Sequence, residues 1–348
     1  MAEETIAFMA EVSEKVIGVG RQLLPEGFRL AVVPPGAADV ETARIVAQAR
    51  YLLGFIVRPM TPPFYEALER TRLVQLLSAG YDQVDLECLR HSRVPMATNG
   101  GANAVAVAEH TIMLILAVLR RLRELDARTR AGSWRPSGSD GEIYELDGKA
   151  VGLVGLGMIG RHVATRLRPF EASVRYFDVR RLPRDEEQAL GLQYVALDEL
   201  LGTADVISLH VPLSATTRQL INRERLAAMK QGAVLINTCR GEVVDEQALY
   251  DAVRSGLLLG AGLDTFAVEP PEKGNPLFSL SNVIVTPHIS GPTWDSWRKR
   301  FVNAYANIVR VAAGQRPLWV VPELRELVPW WCAPEDTRVA GAQPPKER

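Results

Sequence analysis

The chain has 348 residues, of which 47% are hydrophobic and 23% charged, and its formal net charge is −1. A chain of this length exceeds what a single hydrophobic core usually supports, so we expect a globular protein of two domains. A nucleic-acid groove needs a concentrated basic surface, and the Arg-rich segment at 120–130 alternates with acids instead. The longest apolar run, at 111–119, is far shorter than the ~20 residues that span a membrane.

The three cysteines, Cys88, Cys239 and Cys332, lie far apart and match no disulfide framework or metal-ligand spacing. The first residues are acidic where a secretory signal would be basic. We therefore expect free thiols, no metal site, no membrane or nucleic-acid partner, and a cytoplasmic protein.

Strand-like and helix-like segments alternate from the start of the chain, which is typical of a parallel α/β sheet. A helix is predicted at 40–50, and a long amphipathic helix is predicted at 103–128, before an exposed loop at 131–141 that contains Gly, Ser and Pro. The strands predicted in this part of the chain are 5–10, 28–33, 51–57, 72–78 and 94–99.

A second alternating series begins at 148–160, and the chain then has a final predicted helix at 293–314. The last residues, 331–348, are polar and Pro-rich, so a disordered tail is predicted there. Further strands are predicted at 173–178, 205–211, 233–238, 260–266 and 282–288.

The segment GLVGLGMIG places Gly155, Gly157 and Gly160 in the spacing G-x-G-x-x-G. The match is weak alone, but an apolar strand-like run, 150–156, precedes it and a helical segment follows. In that setting Gly155 forms a tight turn, Gly157 lets a pyrophosphate approach the backbone, and Gly160 lets helix and strand pack closely. The following helix N-terminus favours phosphate binding.

Asp178 ends the next predicted strand, 18 residues after Gly160. A carboxylate there can accept hydrogen bonds from the ribose hydroxyls of NAD and would repel the extra phosphate of NADP. Arg180 and Arg181 follow and could hold that phosphate, and a solvated strand-end acid is the alternative interpretation of Asp178. The cofactor predicted is NAD.

Three later predicted strands end in residues that can carry chemistry. Each residue also has an ordinary interpretation, as a surface ion-pair partner, a loop acid or a capped core histidine. Ligands of open α/β sheets bind beyond the carboxyl ends of the strands, so we expect these residues to meet there. In chain order they are Arg240, then Asp264 and Glu269, and finally His288.

Together these residues suit reduction of a ketone. The alkoxide left by hydride transfer needs a proton, which a histidine can give near neutral pH. A neighbouring carboxylate orients the imidazole and favours its charged form. A guanidinium binds a substrate carboxylate through a bidentate fork and polarises the carbonyl.

Four motifs in this order, GLGMIG, INTCRGEVVDEQAL, GLDTFAVEPP and TPHISGPT, resemble the D-isomer-specific 2-hydroxyacid dehydrogenase family over roughly 28–320. The resemblance implies that Arg240 binds and activates the substrate, that Glu269 pairs with the histidine, and that His288 donates or accepts the proton. Beside the three glycines, it implies NAD contacts at Met158, Ile159, Asp178, Thr238, Cys239, Arg240, Asp264, His288 and Gly291. The resemblance implies that Cys239 contacts NAD through its backbone and has no redox role.

The resemblance also implies two doubly wound parallel-sheet domains. A flavodoxin-like substrate domain would comprise 1–102 and 293–330, and a Rossmann NAD-binding domain would comprise 103–292. The long first helix of the NAD-binding domain usually serves a two-fold interface, so a homodimer is expected. The substrate would bind in the cleft between the domains.

The expected substrate is a small 2-hydroxy or 2-oxo acid, and glyoxylate, hydroxypyruvate, pyruvate and larger acids all remain open. The resemblance places Ser78, Ala79 and Gly80 where backbone N–H groups bind a carboxylate, with Asn103 nearby. Arg58 occupies the position of a phosphate-binding Arg in phosphoglycerate dehydrogenases, or is an ordinary surface residue. Leu76 stands where the animal-type enzymes carry an Arg, which disfavours a phosphorylated substrate.

Two alternatives remain open at this stage. Formate dehydrogenases resemble this chain in several segments but carry Gln where it has Glu269, and formate oxidation needs no proton shuttle. NAD-sensing corepressors share the fold and the catalytic residues without being enzymes. A turnover assay separates the second alternative from a dehydrogenase.

Overall fold

The computed structural model describes residues 3–56, 59–134 and 143–328. The chain forms two compact units, one of Met1–Ala102 with Trp294–Arg348 and the other of Asn103–Thr293. The predicted substrate residue Arg58, most of the predicted loop at 131–141, and the predicted tail at 331–348 lie outside the described residues.

Strands and helices alternate along most of the chain. The strands are β1 Glu4–Met9, β2 Phe28–Val32, β3 Tyr51–Gly54, β4 Leu73–Leu76, β5 Met96–Ala97, β6 Ala150–Val154, β7 Ser173–Phe177, β8 Gln193–Tyr194, β9 Val206–Leu209, β10 Ala233–Asn237, β11 Leu258–Leu263 and β12 Val283–Val285. The helices are α1 Glu14–Gln22, α2 Asp39–Val46, α3 Pro62–Glu66, α4 Leu86–His91, α5 Ala104–Leu119, α6 Leu122–Arg130, α7 Met158–Leu167, α8 Arg184–Leu190, α9 Leu197–Thr203, α10 Arg223–Ala227, α11 Glu246–Arg254 and α12 Trp294–Ala312.

The first unit contains a parallel sheet in the order β2-β1-β3-β4-β5. This is the strand order of flavodoxin-like folds. The sheet is covered on both faces. Ile6 and Phe8 pack in a cluster with residues of α1 and α12, whereas Ala7 packs on the other face with residues of α2 and α3. Burial on both faces explains why its strands are continuous apolar runs.

The second unit contains a parallel sheet in the order β12-β11-β10-β9-β6-β7-β8. Numbered from β6, its order is that of a Rossmann fold with one further strand at the edge. Helices α5 and α7 cover one face, where Leu153 is fully buried, and α9 and α11 cover the other, where Val154 is fully buried. The predicted fold class, a flavodoxin-like domain and a Rossmann domain, is confirmed.

The prediction of one long helix over 103–128 is wrong. The helix α5 ends at Leu119, and α6 begins at Leu122. Arg121 between them has a φ of 50°, in the left-handed region that interrupts helical hydrogen bonding, and its guanidinium donates to the carboxylate of Glu124. None of the α6 residues is buried. Both segments favour a helix, so the pattern gave no sign of the break.

The described residues contain no helix that is long and apolar enough to cross a membrane. Within the same ranges, no group of three His, Cys, Asp or Glu side chains is arranged to hold a metal ion.

Candidate active site

The glycine-rich turn joins β6 to α7 in the second unit. Gly155 has a φ of +96°, and a Cβ there would lie 2.6 Å from the carbonyl oxygen of His210. A Cβ on Gly160 would collide with the carbonyl oxygen of Gly155, so this helix can approach the strand only because residue 160 is glycine. A Cβ on Gly157 would meet nothing within 4 Å. The turn is therefore tight at its ends and open at its centre.

This arrangement fits the pyrophosphate of NAD. The open space lies at Gly157, immediately before the first turn of α7, which begins at Met158. The first N–H groups of an α-helix have no acceptor within the helix and carry a partial positive charge. Met158 and Ile159 contribute such groups, so the turn can bind an anion through the backbone.

Asp178 follows β7 and is linked to the same turn. Its Oδ2 accepts a hydrogen bond of 2.7 Å from the N–H of Leu156, and its Oδ1 accepts one of 2.9 Å from the N–H of Arg180. The guanidinium of Arg181 instead donates two hydrogen bonds, each of 2.9 Å, to the carboxylate of Glu187. The strand end therefore presents a carboxylate beside the glycine turn, and Arg181 is held by its own acidic partner. This fits NAD.

The edge of the sheet formed by β10, β11 and β12 brings the predicted catalytic residues to one end. Arg240 follows β10, Glu269 lies in the loop after β11, and His288 follows β12. The Nδ1 of His288 donates a hydrogen bond of 2.7 Å to Oε2 of Glu269. The other oxygen of Glu269 accepts one of 3.0 Å from the N–H of Phe266. The carboxylate is therefore fixed in the loop and aimed at the imidazole.

Burial would raise the pKa of Glu269, but the hydrogen bonds from His288 and from the N–H of Phe266 act in the opposite direction. The charges of His288 and Arg240 add to this effect, and the resulting pKa lies below the ordinary value of a glutamate. Glu269 is therefore an anion at neutral pH. The His288 and Glu269 side chains are 45% and 36% exposed, so the pair remains open to solvent.

The loop that carries Arg240 packs against the loop that carries Glu269. A Cβ on Gly241 would overlap the backbone of Phe266 and Ala267, so only glycine permits this approach. The amide of Asn237 donates a hydrogen bond of 2.8 Å to the carbonyl oxygen of Arg240. Gly241 was not among the predicted site residues, although its place directly after Arg240 was a usable signal.

Asp264 is fully buried and organises the loop around His288. Its Oδ1 accepts hydrogen bonds of 2.6 Å from the hydroxyl of Thr286 and 2.9 Å from the N–H of Ile289, and its Oδ2 accepts one of 3.0 Å from the N–H of Ser290. His288 lies between these contacts with a φ of 52°, an uncommon conformation for a non-glycine residue. Asp264 therefore holds the backbone on both sides of the histidine.

A second histidine, which was not among the predicted site residues, supports the same loop. The Nε2 of His110 lies 2.9 Å from the hydroxyl oxygen of Thr286. That hydroxyl already donates to Asp264, so His110 must be the donor. Thr286 belongs to the motif TPHISGPT, but His110 lies outside the four motifs of the resemblance, and only the fold joins α5 to the end of β12.

The remaining predicted cofactor residues of this unit occupy the ends of β10 and β12. The hydroxyl of Thr238 lies 3.1 Å from that of Thr111. The thiol of Cys239 donates to Oδ1 of Asn237, and burial raises the pKa of this thiol to about 11. Such a thiol is almost entirely protonated at neutral pH and is a poor nucleophile. Gly291 is buried two residues beyond Ile289.

The predicted carboxylate-binding loop lies in the first unit, directly after β4. Ser78 and Gly80 are connected within it, because the Ser78 hydroxyl donates a hydrogen bond of 2.8 Å to the carbonyl oxygen of Gly80. Asn103 is the N-cap residue of α5 and belongs to the second unit. The structure thus brings Arg240, Glu269 and His288 together in the second unit, and Ser78–Gly80 form a separate turn in the first.

Comparison with known proteins identifies the family. Residues 112–290 match the D-isomer specific 2-hydroxyacid dehydrogenase, NAD binding domain. The chain is 35% identical over 294 residues to a hydroxypyruvate reductase of Thermotoga maritima, covering 84% of this chain and 94% of that protein. It superimposes with a TM-score of 0.81 and 27% identity on a glyoxylate reductase from Paecilomyes thermophila, covering 93% of this chain and 100% of that one. A D-lactate dehydrogenase with NAD⁺ from Lactobacillus jensenii gives a TM-score of 0.76 and 27% identity, covering 91% of this chain and 99% of that one. The chain therefore belongs to the D-isomer specific 2-hydroxyacid dehydrogenase family, the NAD-dependent enzymes that transfer a hydride to or from a small 2-hydroxy or 2-oxo acid.

Proposed function

We propose that this protein reduces a small, unphosphorylated 2-oxo acid with NADH, and that Arg240, Glu269 and His288 carry out the reaction. The observation that supports this proposal most directly is the hydrogen bond of 2.7 Å between His288 and Glu269 at the sheet edge that also bears Arg240. A proton donor, its orienting carboxylate and a guanidinium are the groups that ketone reduction requires.

Each residue has one task in this proposal. NADH, when bound, supplies the hydride to the keto carbon. The Nδ1 of His288 is bonded to Glu269, so Nε2 is the nitrogen that gives a proton to the developing alkoxide. Glu269 holds the imidazole in this orientation and stabilises its charged form. Arg240 binds the substrate carboxylate and polarises the carbonyl through its guanidinium.

In this proposal the glycine turn and Asp178 contact NAD. The other residues that would contact NAD are Met158, Ile159, Thr238, Cys239, Arg240, Asp264, His288 and Gly291. Asp264 would act mainly by holding the loop around His288, because both oxygens of its carboxylate already accept hydrogen bonds from the protein.

Ser78, Ala79 and Gly80 would offer backbone N–H groups to the substrate carboxylate, with Asn103 also contributing. The preference for an unphosphorylated acid rests on Leu76, which is 2% exposed and packs among apolar residues where a second phosphate ligand would be needed. The names of the hydroxypyruvate and glyoxylate reductases that the chain resembles make these two small acids the first candidates.

The test is a panel of glyoxylate, hydroxypyruvate, pyruvate, longer 2-oxo acids and 3-phosphohydroxypyruvate, each followed by oxidation of NADH. We expect turnover of at least one small acid, with the phosphorylated acid among the poorest. Formate with NAD⁺ is included because formate dehydrogenases share this fold. Glu269, an anion that suits a proton-transferring histidine, favours the hydroxy acid. Turnover of formate alone, or of nothing in the panel, would contradict the proposal, and the second result would favour a corepressor-like binding protein.

We further propose that the protein is a homodimer in a reducing compartment such as the cytoplasm. Exposed apolar side chains on α5, on α6 and shortly after α6 support the dimer, since Met113 is 46%, Leu122 57% and Trp134 77% exposed. The free thiols of Cys88 and Cys239 support the compartment. Sedimentation at micromolar concentration should show a dimer, and a stable monomer would contradict the assembly.

A further inference from the structure

Arg300, in the first half of α12, is a buried cation, and the described residues give it no anionic partner. The residue is 3% exposed, and its guanidinium lies 5.2 Å from the ring centroid of Trp297 and 5.8 Å from that of Phe55. Its Nη1 donates a hydrogen bond to the carbonyl oxygen of Leu77, and its Nε finds no acceptor within the described ranges of the chain. Among the described residues of this unit, no carboxylate forms an ion pair with it.

A buried charge of this kind is unfavourable for folding. Burial lowers the pKa of Arg300 to about 10, and no neighbouring charge offsets this. Replacing buried ionic groups by well-packed apolar side chains is often neutral or stabilising. The position could therefore hold an apolar residue among Phe55, Trp297 and the core of the first unit, and the charge needs another explanation.

The carbonyl that Arg300 contacts belongs to the peptide group between Leu77 and Ser78. The same oxygen also accepts a hydrogen bond of 3.2 Å from the side-chain amide of Asn99. In a trans peptide the C=O and N–H bonds point in opposite directions, so the N–H of Ser78 points away from the guanidinium. A charged donor on the carbonyl polarises the amide and makes its N–H a stronger donor.

The amides of this turn are available for a ligand. Within the described part of the first unit, no acceptor receives the N–H of Ser78, Ala79 or Gly80. The turn itself is fixed, because the N–H of Asn99 donates to the carbonyl oxygen of Ser78 and the Ser78 hydroxyl donates to that of Gly80. A rigid turn with free donors and a positive charge behind it is suited to an anion.

We propose that Arg300 is a positioning residue for the carboxylate of the substrate. It holds the Leu77 carbonyl, polarises the Ser78 amide toward the ligand, and supplies positive charge behind the turn without touching the substrate. This inference rests on the proposed function, in which the turn Ser78–Gly80 receives the carboxylate of a 2-oxo acid.

The size of the effect follows from distance. Two hydrogen bonds and one peptide group separate the guanidinium from a bound carboxylate by about 8 Å. At an effective permittivity of about 20, a unit charge at that distance changes a Kd by roughly 10- to 30-fold. Loss of Arg300 should therefore weaken carboxylate binding by this factor and leave NADH binding unchanged.

The experiment measures the Kd of oxamate, a non-reacting analogue of a 2-oxo acid, by calorimetry on the protein saturated with NADH. Arg300→Met should raise this Kd roughly 10- to 30-fold while the melting temperature stays at or above that of the parent. Arg300→Lys, which keeps a charged donor, should raise the oxamate Kd by a smaller factor. Tyr305→Phe is the matched control, since Tyr305 is buried in the same helix and donates to the carbonyl of Gly20. Its oxamate Kd should equal that of the parent.

The outcomes separate the two proposals. The substrate panel tests the proposed function, and the oxamate Kd needs no turnover. The role of Arg300 would be overturned if the oxamate Kd of Arg300→Met lay within about twofold of the parent value. It would also be overturned if the Lys and Met variants lost the same oxamate affinity, or if the parent did not bind oxamate. If the Met variant does not fold, Arg300→Gln replaces it, because Gln is polar but carries no charge.

Discussion

Replacing Glu269 with Gln tests the proposed acid–base pair most directly. Gln keeps the size of the side chain, and its single carbonyl oxygen can still accept the hydrogen bond from His288, but its NH2 group cannot accept from the N–H of Phe266. It removes the negative charge. The pKa of Glu269 is held below its ordinary value, so the parent carries this charge across the neutral range and the variant does not.

The magnitude follows from the geometry of the pair. The bonded atoms of His288 and Glu269 are 2.7 Å apart, which puts the centres of charge at about 4 Å. Two unit charges at this distance attract by about 1 kcal/mol in water and about 4 kcal/mol at an effective permittivity of 20. The side chains are 45% and 36% exposed, so screening reduces the larger value. Losing about 1–2 kcal/mol of this attraction corresponds to a displacement of the pH profile by roughly one unit.

Reduction needs the protonated imidazole, which the variant no longer stabilises. We therefore expect the pH profile of kcat for reduction to move about one unit to lower pH, with activity at acidic pH retained. Oxidation needs the neutral imidazole and should be affected less at neutral pH. Glu246→Gln is the charge-matched control, because Glu246 accepts from the N–H of Ala267 in the same loop without contacting His288. A profile unchanged in Glu269→Gln would leave Glu269 only the role of a loop carboxylate.

Three further predictions concern the catalytic residues, the cofactor and stability. His288→Ala should lower kcat for reduction by roughly 10²–10⁴-fold, and Arg240→Lys should recover only part of the kcat/KM lost in Arg240→Ala; unchanged kcat, or full recovery by Lys, would contradict these roles. The ratio of kcat/KM for NADH to that for NADPH should exceed one and fall in Asp178→Ala, and a preference of the parent for NADPH would contradict the role of Asp178. Burial acts to raise the pKa of Asp205, but hydrogen bonds from Lys230 and a backbone amide outweigh burial and lower this pKa. The ionised Asp205 therefore stabilises the folded protein at neutral pH, and this stabilisation is lost as the pH falls through the lowered pKa. Urea unfolding of Asp205→Asn should therefore show a loss of roughly 1 kcal/mol at neutral pH that shrinks in acid, and a loss independent of pH would contradict this account.

The fold was largely predictable from local patterns. Apolar runs alternating with helical segments predict parallel sheets, and both observed sheets are parallel throughout their described strands. Most of the predicted strands were too long, because burial outside a strand also selects apolar residues. The strand predicted at 72–78 spans only Leu73–Leu76, although Leu77 is fully buried. The family and the NAD cofactor were also predicted correctly, since ordered motifs lie within short stretches of chain.

The end of the sheet at which the candidate catalytic residues lie was predictable as well. Arg240, Glu269 and His288 each follow a strand, and the carboxyl ends of parallel strands share one edge. Their chain positions therefore indicated proximity, and the structure adds the hydrogen bond between Glu269 and His288. Their catalytic roles stay predictions until the variants are measured.

The pairing of individual side chains was decided by the tertiary structure alone. Arg181 binds Glu187, Asp264 turns inward to hold the loop around His288, and Gly241 permits two loops to touch. Arg121 lies between two helices in a left-handed conformation and Arg300 is buried, although the sequence presents both as ordinary helix residues. The physical reason is that periodicity fixes which face a residue occupies, whereas its partner and its distance from solvent depend on segments far away in the chain.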